Sequence, residues 1–351
     1  MIICRTPFRI SFFGGGTDYP VWYREHGGAV LATTIDKYCY ITCRYLPPFF
    51  SHKSRVVYSK IENVNDVSEI QHPAVQAVLR HMGITEGVEI HHDGDLPART
   101  GLGSSSAFTV GLLHSLFALK QIMPTKTQLA MEAIHIERNI LHENVGNQDQ
   151  VSAALGGFNR IVFRQDDGLE LQPVIMPRER LRQFQDHLML YFTGFQRMAS
   201  EIAKEQIANT LHRKAELERI YEMVDEALSI LIGNGNLVEF GKLLHESWRI
   251  KQQLSNRITT PAINAISEAA MDAGAVGTKL LGAGGGGFML LFVRPEDQPK
   301  VRERLKSLLY VPFRFETQGS QIIFYDRNIM DQDESSVIHR KVETIPQEEL
   351  V

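Results

Sequence analysis

The sequence predicts an α+β protein of two domains, and three observations support that prediction. The chain has 351 residues, a length at which one hydrophobic core stops growing and a second domain becomes favourable. Hydrophobic residues make up 43% of it and charged residues 22%, which excludes a disordered or low-complexity chain. Some segments have the composition of strands and others have helical periodicity. We expect an N-terminal domain over residues 1–180, a C-terminal domain over 181–330 and a polar tail over 331–351.

The net charge, the apolar runs and the cysteines indicate which classes of protein this chain does not belong to. The 37 basic and 41 acidic residues give a formal charge of −4, which argues against a nucleic-acid-binding protein. The apolar runs are far shorter than the roughly 20 residues of a membrane span. The cysteines Cys4, Cys39 and Cys43 are odd in number and lack C-x-x-C spacing, so they are read as buried reduced thiols. We expect a cytoplasmic protein with neither nucleic acid nor membrane as a partner.

Local composition predicts each element of the first half. Runs rich in β-branched and aromatic residues, bounded by Gly, Pro or Asp, predict strands over residues 8–13, 28–34, 38–45 and 56–60. Helical spacing of apolar residues predicts helices over 104–118 and 127–141. Thr125 or Thr127 can cap the second helix. These segments predict two packed helices flanking a sheet.

The second half mixes helices and strands in the same way. Apolar residues over 199–231 predict a long core helix with a break near Asn209, in preference to a dimeric coiled coil. The same reasoning predicts helices over 237–255, 261–273 and 296–309, and strands over 188–192, over 288–293 and near Phe313 and Ile322. No internal repeat is visible.

One glycine-rich segment has the pattern of a phosphate site. A turn led by Pro97 enters Gly101-Leu102-Gly103, followed by Ser104, Ser105 and Ser106 at the start of a helix. Glycines let the backbone approach an anion, and the free N–H groups and the dipole of a helix N-terminus favour negative charge there. An ordinary capped helix after a glycine turn is the alternative.

A second glycine cluster is Gly282-Ala283-Gly284-Gly285-Gly286-Gly287. It contains G-x-G-x-x-G, but a strand follows it, whereas a dinucleotide-binding fingerprint opens a helix. The Rossmann interpretation therefore fails. So many glycines cost conformational entropy on folding, which indicates close approach of another backbone or of a ligand.

Three carboxylates stand near glycines or helix ends. Asp18 follows Gly14-Gly15-Gly16-Thr17 and can accept hydrogen bonds from a polyol, although Asp is also common in turns. Glu137 precedes a polar segment that contains Asp149. Glu137 could ligate a metal, and Asp149 could orient or deprotonate a hydroxyl. A solvated helix face is the alternative for Glu137.

Taken in order, these segments resemble the GHMP small-molecule kinases, named for galactokinase, homoserine kinase, mevalonate kinase and phosphomevalonate kinase. The three motifs that carry the resemblance are Pro7 to Tyr19, Leu96 to Ala107 and Lys279 to Gly287. The resemblance implies a ribosomal protein S5 domain 2-like N-terminal domain and a ferredoxin-like C-terminal domain. It also implies ATP and Mg²⁺ as cofactors.

The resemblance also assigns roles to residues. Asp149 would be the catalytic carboxylate, with Arg9 as the catalytic cation. Mg²⁺ would be held by Ser105, or Ser104, together with Glu137. The ATP phosphates would lie on Gly101, Leu102, Gly103, Ser104, Ser105 and Ser106. The substrate-binding set would be Gly15, Gly16, Thr17, Asp18, Gly284, Gly285 and a cation for a substrate phosphate, for which Arg197, Arg24 and Lys279 are candidates.

The departures from the family pattern concern the substrate. Galactokinases carry Gly-Glu-His where this chain has three glycines at positions 14–16, which argues against galactose. The triple-glycine form and the segment 192–201 resemble the branch that phosphorylates the anomeric hydroxyl of D-glycero-D-manno-heptose 7-phosphate. A kinase of an unphosphorylated sugar, of the fucokinase type, is the alternative, and a catalytically silent sugar sensor is a third. A homodimer stays open as an oligomeric state.

Overall fold

The structure is a computed structural model that describes residues 1–98, 100–194 and 199–326. Its strands are β1 (Ile2–Phe13), β2 (Gly28–Tyr45), β3 (Ser54–Val57), β4 (Ile61–Val64), β5 (Val88–Gly94), β6 (Phe158–Phe163), β7 (Leu169–Pro173), β8 (Leu188–Phe192), β9 (Ala275–Leu280), β10 (Phe288–Val293), β11 (Leu309–Tyr310), β12 (Phe315–Glu316) and β13 (Gln321–Tyr325). Its α-helices are α1 (Pro20–His26), α2 (Pro73–His81), α3 (Ser104–Leu119), α4 (Lys126–His135), α5 (Gln148–Leu155), α6 (Arg178–Asp186), α7 (Ala199–Asn209), α8 (Lys214–Ile232), α9 (Val238–Lys251), α10 (Pro261–Asp272) and α11 (Gln298–Arg304).

The strands form two sheets, so the α+β prediction is confirmed. The first sheet runs β13-β1-β2-β5-β3-β4, with β6 and β12 also on β2 and β7 on β6. The second runs β11-β8-β10-β9. Strands β12 and β13 come from the end of the described chain but return to the first sheet. The sequence predicts strands there without placing them in a sheet. The division at residue 180 stays a prediction, and the tail over 331–351 lies outside the described residues.

Strand β2 joins two predicted strands into one. The predicted gap between residues 34 and 38 is an irregularity in the pairing with β1, because Pro7 pairs with Tyr38 while the next residue, Phe8, pairs with Ile35. Proline has no N–H to donate to the ladder, so a bulge is a favourable place for it. The chain bends there without leaving the sheet.

Helix α3 packs across β1 and β2 and is buried on most of its faces. A Cβ at Gly111 would lie 2.9 Å from the Thr6 hydroxyl oxygen, so glycine allows the helix to approach β1 closely. Cys4, Cys39 and Cys43 are buried and free, which confirms that reading of the cysteines. Burial raises the pKa of each thiol.

The predicted helices are present in the structure, although several begin or end at other residues than predicted. Helix α7 ends at Asn209, where the break was predicted, and a 3₁₀ turn separates it from α8. Thr125 caps α4 through a capping box, and a π-helical turn (Ile136–Ile140) continues that helix. The predicted helix over 296–309 is shorter, since α11 covers only Gln298–Arg304. Among the described helices, none is long and apolar enough to cross a membrane.

A cluster of phenylalanines joins the two halves of the protein. The ring of Phe12 on β1 lies 5.6 Å from that of Phe240 on α9, and the ring of Phe184 on α6 lies 4.7 Å from Phe240. All three side chains are fully buried. This apolar contact fixes the end of β1 against α9, and the glycine segment that follows β1 lines the cavity described next.

Candidate active site

A cavity of about 450 Å³ lies between the two halves. Residues of all three glycine motifs line it, together with the loop before α5 and the ends of α7 and α9. The first half contributes Arg9, Asp18 and Asp149, and the second contributes Lys251 and Lys279. The sequence motifs therefore converge on one polar pocket, as their resemblance implies.

Arg9 and Asp149 form a two-pronged ion pair inside this cavity. Arg9 Nε donates to Asp149 Oδ1 over 2.7 Å, and Nη2 donates to Oδ2 over 2.8 Å. The third donor, Nη1, binds the carbonyl oxygen of Gly101 over 2.6 Å. Arg9 is only 5% exposed, so its planar guanidinium holds the carboxylate in one orientation.

Asp149 lies on a helix. The polar segment after Glu137 is not predicted as a helix at Asp149, whereas the structure places this residue in the first turn of α5. An acidic side chain is favourable at that position because of the helix dipole. The helix gives the carboxylate a fixed position relative to Arg9.

Helix α3 presents its N-terminus to the cavity. Gly103 before it is in the left-handed conformation, with φ of 74°, and no side chain caps the helix. Ser104, Ser105 and Ser106 line the cavity in the first turn. The positive end of the helix dipole at that turn favours an anion, which fits the predicted phosphate site.

The second and third glycine motifs pack against each other. A Cβ at Gly101 would lie 2.3 Å from the Leu281 carbonyl oxygen, and a Cβ at Gly282 would lie 2.4 Å from Gly101 Cα. Likewise, a Cβ at Gly287 would lie 2.2 Å from the Thr100 carbonyl oxygen. The predicted close approach of another backbone is confirmed, and it fixes the predicted phosphate loop against the glycine segment that precedes β10.

Asp18 is a buried acceptor at the other end of the first motif. The backbone N–H of Gly16 donates to its Oδ1 over 3.0 Å, and Gln148 Nε2 donates to its Oδ2 over 2.9 Å. Burial raises the pKa of Asp18, and the nearby charge of Asp149 raises it further. Ser11 Oγ and Gln148 Oε1 are buried with no hydrogen-bond partner in the described part of the chain. Both residues line the cavity and offer polar atoms to a hydroxylated ligand.

Glu137 is fully buried in the π-helical turn, which excludes the solvated helix face. The hydroxyl of Ser106 donates to its Oε2 over 2.8 Å, and Gln150 Nε2 donates to the same oxygen. Burial raises the pKa of Glu137 to about 7. Its Oε1 has no hydrogen-bond partner among the residues described, and such a buried free oxygen fits a hard cation.

The described residues contain no group of three His, Cys, Asp or Glu side chains that could hold a metal alone. A cation at Glu137 would therefore take its other ligands from hydroxyl, phosphate and water oxygens, as Mg²⁺ commonly does. Ser105, predicted as such a ligand, is exposed in the cavity, whereas its neighbour Ser106 contacts Glu137. The assignment of Ser105 stays a prediction.

Two lysines in the cavity are buried. Lys251, at the end of α9, donates to the carbonyl oxygen of Gly282, and Lys279, on β9, donates to that of Phe12. They are 8% and 4% exposed. Burial lowers the pKa of Lys251 to about 8. Burial, followed by the charges of Lys251 and Arg9, lowers the pKa of Lys279 well below its usual value.

Other predicted site residues lie elsewhere or play a structural part. Thr17 is buried and donates to the carbonyl oxygens of Gly14 and Ala29. Leu102 is in the core and accepts the Arg9 N–H through its carbonyl oxygen. Arg24 is half exposed, outside the cavity lining, and pairs with Asp167.

Gly284 and Gly285 are also outside the cavity lining, because they pack on Ile258. By contrast, Gly15 and Gly16 line the cavity as predicted. Arg197, the remaining candidate, lies outside the described residues. The substrate roles given to these glycines and to Arg197 stay predictions.

Lys251, Gln148 and Ser11 were missed by the sequence analysis. Lys251 follows Arg249 at the end of a helix, where cations commonly face solvent. Gln148 directly precedes Asp149, and Ser11 lies two residues after Arg9 on β1. In a strand, residues two apart share a face, so the period of β1 is the one signal that could have found Ser11.

Comparisons with known proteins agree with this arrangement. The family model for the GHMP kinases N terminal domain matches residues 68–157, and the model for GHMP kinases C terminal matches residues 230–311. A D-glycero-alpha-D-manno-heptose 7-phosphate kinase of Campylobacter jejuni is 26% identical over 320 residues, which are 86% of this chain and 92% of the relative. An L-fucokinase/L-fucose-1-P guanylyltransferase of Bacteroides fragilis is 26% identical over 87% of this chain and 35% of its own length.

The fold has a solved counterpart as well. A crystal structure described as a D-glycero-D-manno-heptose 1-phosphate kinase from Bacteroides thetaiotaomicron superposes with a TM-score of 0.76 at 23% identity. The match covers 92% of this chain and 99% of that one. The two family models match the two halves of the chain in the family's order, and the motifs that they contain meet at one cavity. The chain therefore belongs to the GHMP kinase family.

Proposed function

We propose that the protein transfers the γ-phosphoryl group of ATP to the anomeric hydroxyl of a phosphorylated sugar, D-glycero-D-manno-heptose 7-phosphate. The observation that carries the proposal is the position of Arg9. Its guanidinium binds both Asp149, the candidate base, and Gly101 of the phosphate loop. The Arg9 side chain thus links Asp149, which would contact the acceptor hydroxyl, to Gly101, which would contact the donor phosphates.

Asp149 receives or orients the proton of the attacking hydroxyl. The side chain of Asp149 is 24% exposed, so a ligand in the cavity can reach its carboxylate while Arg9 holds it through two hydrogen bonds. As the hydroxyl attacks phosphorus, the guanidinium stabilises the negative charge that develops between the reacting oxygens. The N–H groups at the start of α3 bind the donor phosphates throughout.

Asp18 positions the sugar. Three hydrogen bonds, from the backbone N–H of Gly16 and from the backbone and side chain of Gln148, hold its carboxylate in the cavity wall. Its oxygens can accept hydrogen bonds from sugar hydroxyls. Ser11 and Gln148 lie near Gly15, where a Cβ would be 3.9 Å from Ser11 Oγ and 3.8 Å from Gln148 Nε2. Ser11 Oγ and Gln148 Oε1 have no hydrogen-bond partner among the described residues. Together they form a polar surface for a polyol.

Glu137 fits the Mg²⁺ that accompanies ATP in this family. The free Oε1 and a serine hydroxyl of the first turn of α3 would hold the ion. When bound, Mg²⁺ neutralises phosphate oxygens and polarises the transferred group. Ser106 and Gln150 keep the carboxylate of Glu137 aimed at the phosphate-binding turn.

The heptose phosphate is favoured because the Campylobacter relative matches nearly the full length of both chains. The L-fucokinase/L-fucose-1-P guanylyltransferase of Bacteroides fragilis, which is also 26% identical to this chain, supports a second candidate, a kinase of an unphosphorylated sugar. Both candidates use the same donor site and differ in the acceptor.

Phosphorus NMR of the product tests the proposed position of transfer. With MgATP and D-glycero-D-manno-heptose 7-phosphate we expect one new phosphate signal coupled to the anomeric proton, beside the unchanged 7-phosphate. Transfer to any other hydroxyl would show that the assignment of the reaction is wrong. Product formed only from fucose or another free sugar would support the second candidate.

A further inference from the structure

Lys251 and Lys279 place two amino groups in the wall of the cavity, and no carboxylate in the described ranges of the chain forms an ion pair with either. Neither ammonium group has an Asp or Glu oxygen within ion-pair distance there, and each donates to one backbone carbonyl. A buried cation is costly unless it is paired or binds an anion. Their joint burial in the wall of a cavity therefore calls for a negatively charged ligand.

The donors of both lysines are only partly used. An ammonium group has three N–H donors, and one on each lysine is engaged by Gly282 or Phe12. These two carbonyl contacts fix the direction of each side chain. The remaining donors are available to the cavity, which both residues line.

The charges around Lys251 place it on the acceptor side of the cavity. Asp18 and Asp149, whose charges act on Lys251, are assigned above to the acceptor sugar and to its hydroxyl. Arg9, which also acts on Lys251, links Asp149 to the phosphate loop. Arg9 forms its ion pair with Asp149, whereas neither lysine has such a partner among the described residues. The ATP phosphates, by contrast, have the N-terminus of α3.

We propose that Lys251, with Lys279 beside it, forms the binding site for the phosphate group that the acceptor carries. This inference rests on the proposed function, because it concerns a phosphorylated acceptor of the same kinase site. It also gives that phosphate a binding site within the described residues, independent of Arg197. Lysine binds phosphate as a point charge, so the site suits a terminal phosphate monoester.

The test compares phosphorylated and unphosphorylated ligands on matched variants. Calorimetric titration, with a non-hydrolysable ATP analogue and Mg²⁺ present, measures binding of D-glycero-D-manno-heptose 7-phosphate, mannose 6-phosphate, D-glycero-D-manno-heptose and mannose. The variants are Lys251→Met, which keeps the length without the charge, and Lys251→Arg, which keeps the charge. Lys242→Met is the control, since Lys242 is an exposed residue of the same helix paired with Glu239.

We expect Lys251→Met to weaken binding of the phosphorylated sugar about 10- to 100-fold, as for loss of a charge-assisted hydrogen bond. Binding of the free sugar should change by less than about 3-fold, and Lys251→Arg should recover part of the loss. Equal weakening for both kinds of sugar, or no change for either, would overturn the site.

The same titrations separate this inference from the proposed function. If the wild type binds mannose 6-phosphate through Lys251 but neither binds nor turns over the heptose phosphate, the phosphate site stands and the proposed substrate is wrong. If the wild type binds no phosphorylated sugar more tightly than its free counterpart, the phosphate site is wrong. Turnover of free sugars would then keep only the kinase chemistry.

Discussion

The backbone of Gly146 lies directly against the carboxylate of Asp18. A Cβ at position 146 would fall 1.9 Å from Asp18 Oδ2, a separation that two non-bonded heavy atoms cannot hold. The loop before α5 therefore packs directly against the carboxylate of Asp18 because residue 146 has no side chain. The N–H of Asn147 next to it donates to the Asp18 carbonyl oxygen over 3.2 Å.

Gly146→Ala should displace Asp18 and weaken acceptor binding. We expect the KM for the sugar acceptor to rise at least ~10-fold, while the KM for MgATP changes less than ~3-fold, because the donor site lies on α3. Steady-state kinetics with each substrate varied in turn measures both. Gly235→Ala is the matched control, since a Cβ there meets no atom within 4 Å. An unchanged acceptor KM would show that Asp18 does not contact the sugar.

Asp149→Asn should reduce kcat by at least ~100-fold with little effect on ATP affinity, because the amide cannot take a proton and cannot pair with Arg9 in two places. Single-turnover kinetics and nucleotide titration measure these quantities. Asp167→Asn is the control, because Asp167 forms a similar pair with Arg24 on the surface. A near-normal kcat for Asp149→Asn would remove Asp149 from the chemistry.

Lys251→Met should stabilise the protein at neutral pH. Burial lowers the pKa of Lys251 from 10.5 to about 8, so between these two pH values the unfolded chain binds more protons than the folded one. Stability therefore rises with pH in this window, and below it the buried charge costs the folded state about 3 kcal/mol. We expect the Tm of Lys251→Met to exceed that of the wild type by several degrees at pH 7, with a smaller difference at pH 9.5.

Thermal unfolding of ligand-free protein at these pH values measures the effect. Lys242→Met, which removes an exposed charge of the same helix, should show no such pH-dependent gain. A lower Tm for Lys251→Met at pH 7, or a gain that does not shrink as the pH rises, would contradict a destabilising buried charge.

Glu137→Gln should weaken divalent cation binding, since the substitution removes the charge and replaces one of the two carboxylate oxygens. Electron paramagnetic resonance with Mn²⁺ and ADP measures this binding without turnover, and we expect at least ~10-fold weaker Mn²⁺ binding. Glu132→Gln is the control, because Glu132 lies on the adjacent α4 and pairs with His81. Equal Mn²⁺ affinity in wild type and Glu137→Gln would place the ion elsewhere.

The sequence predicts the glycine motifs well because backbone positions at which no Cβ fits require glycine, and a run of glycines is visible in the sequence. The glycines at 101 and 282 meet in the structure because no Cβ fits there, and glycine runs are visible without coordinates. The break at Asn209 and the Thr125 cap are also local features. Each of these depends on residues close together in the chain.

Contacts between distant segments could not be predicted in this way. Lys251 follows the pattern of an exposed helix end, but distant segments bury it, among them the glycine segment whose Gly282 carbonyl it binds. The sequence offers Arg24 as a candidate cation for the substrate phosphate, but in the structure Arg24 forms an ion pair with Asp167. The burial of Glu137 depends on α3 and α5, which supply Ser106 and Gln150.

The central claim is that the cavity takes a phosphorylated sugar as the acceptor of a phosphoryl group from ATP. The most direct test is a coupled ADP-release assay with MgATP and a panel of D-glycero-D-manno-heptose 7-phosphate, mannose 6-phosphate, fucose, mannose and galactose. We predict rapid turnover of the heptose phosphate and kcat/KM values at least ~100-fold lower for the free sugars. Efficient turnover of a free sugar, with none of the heptose phosphate, would contradict the claim.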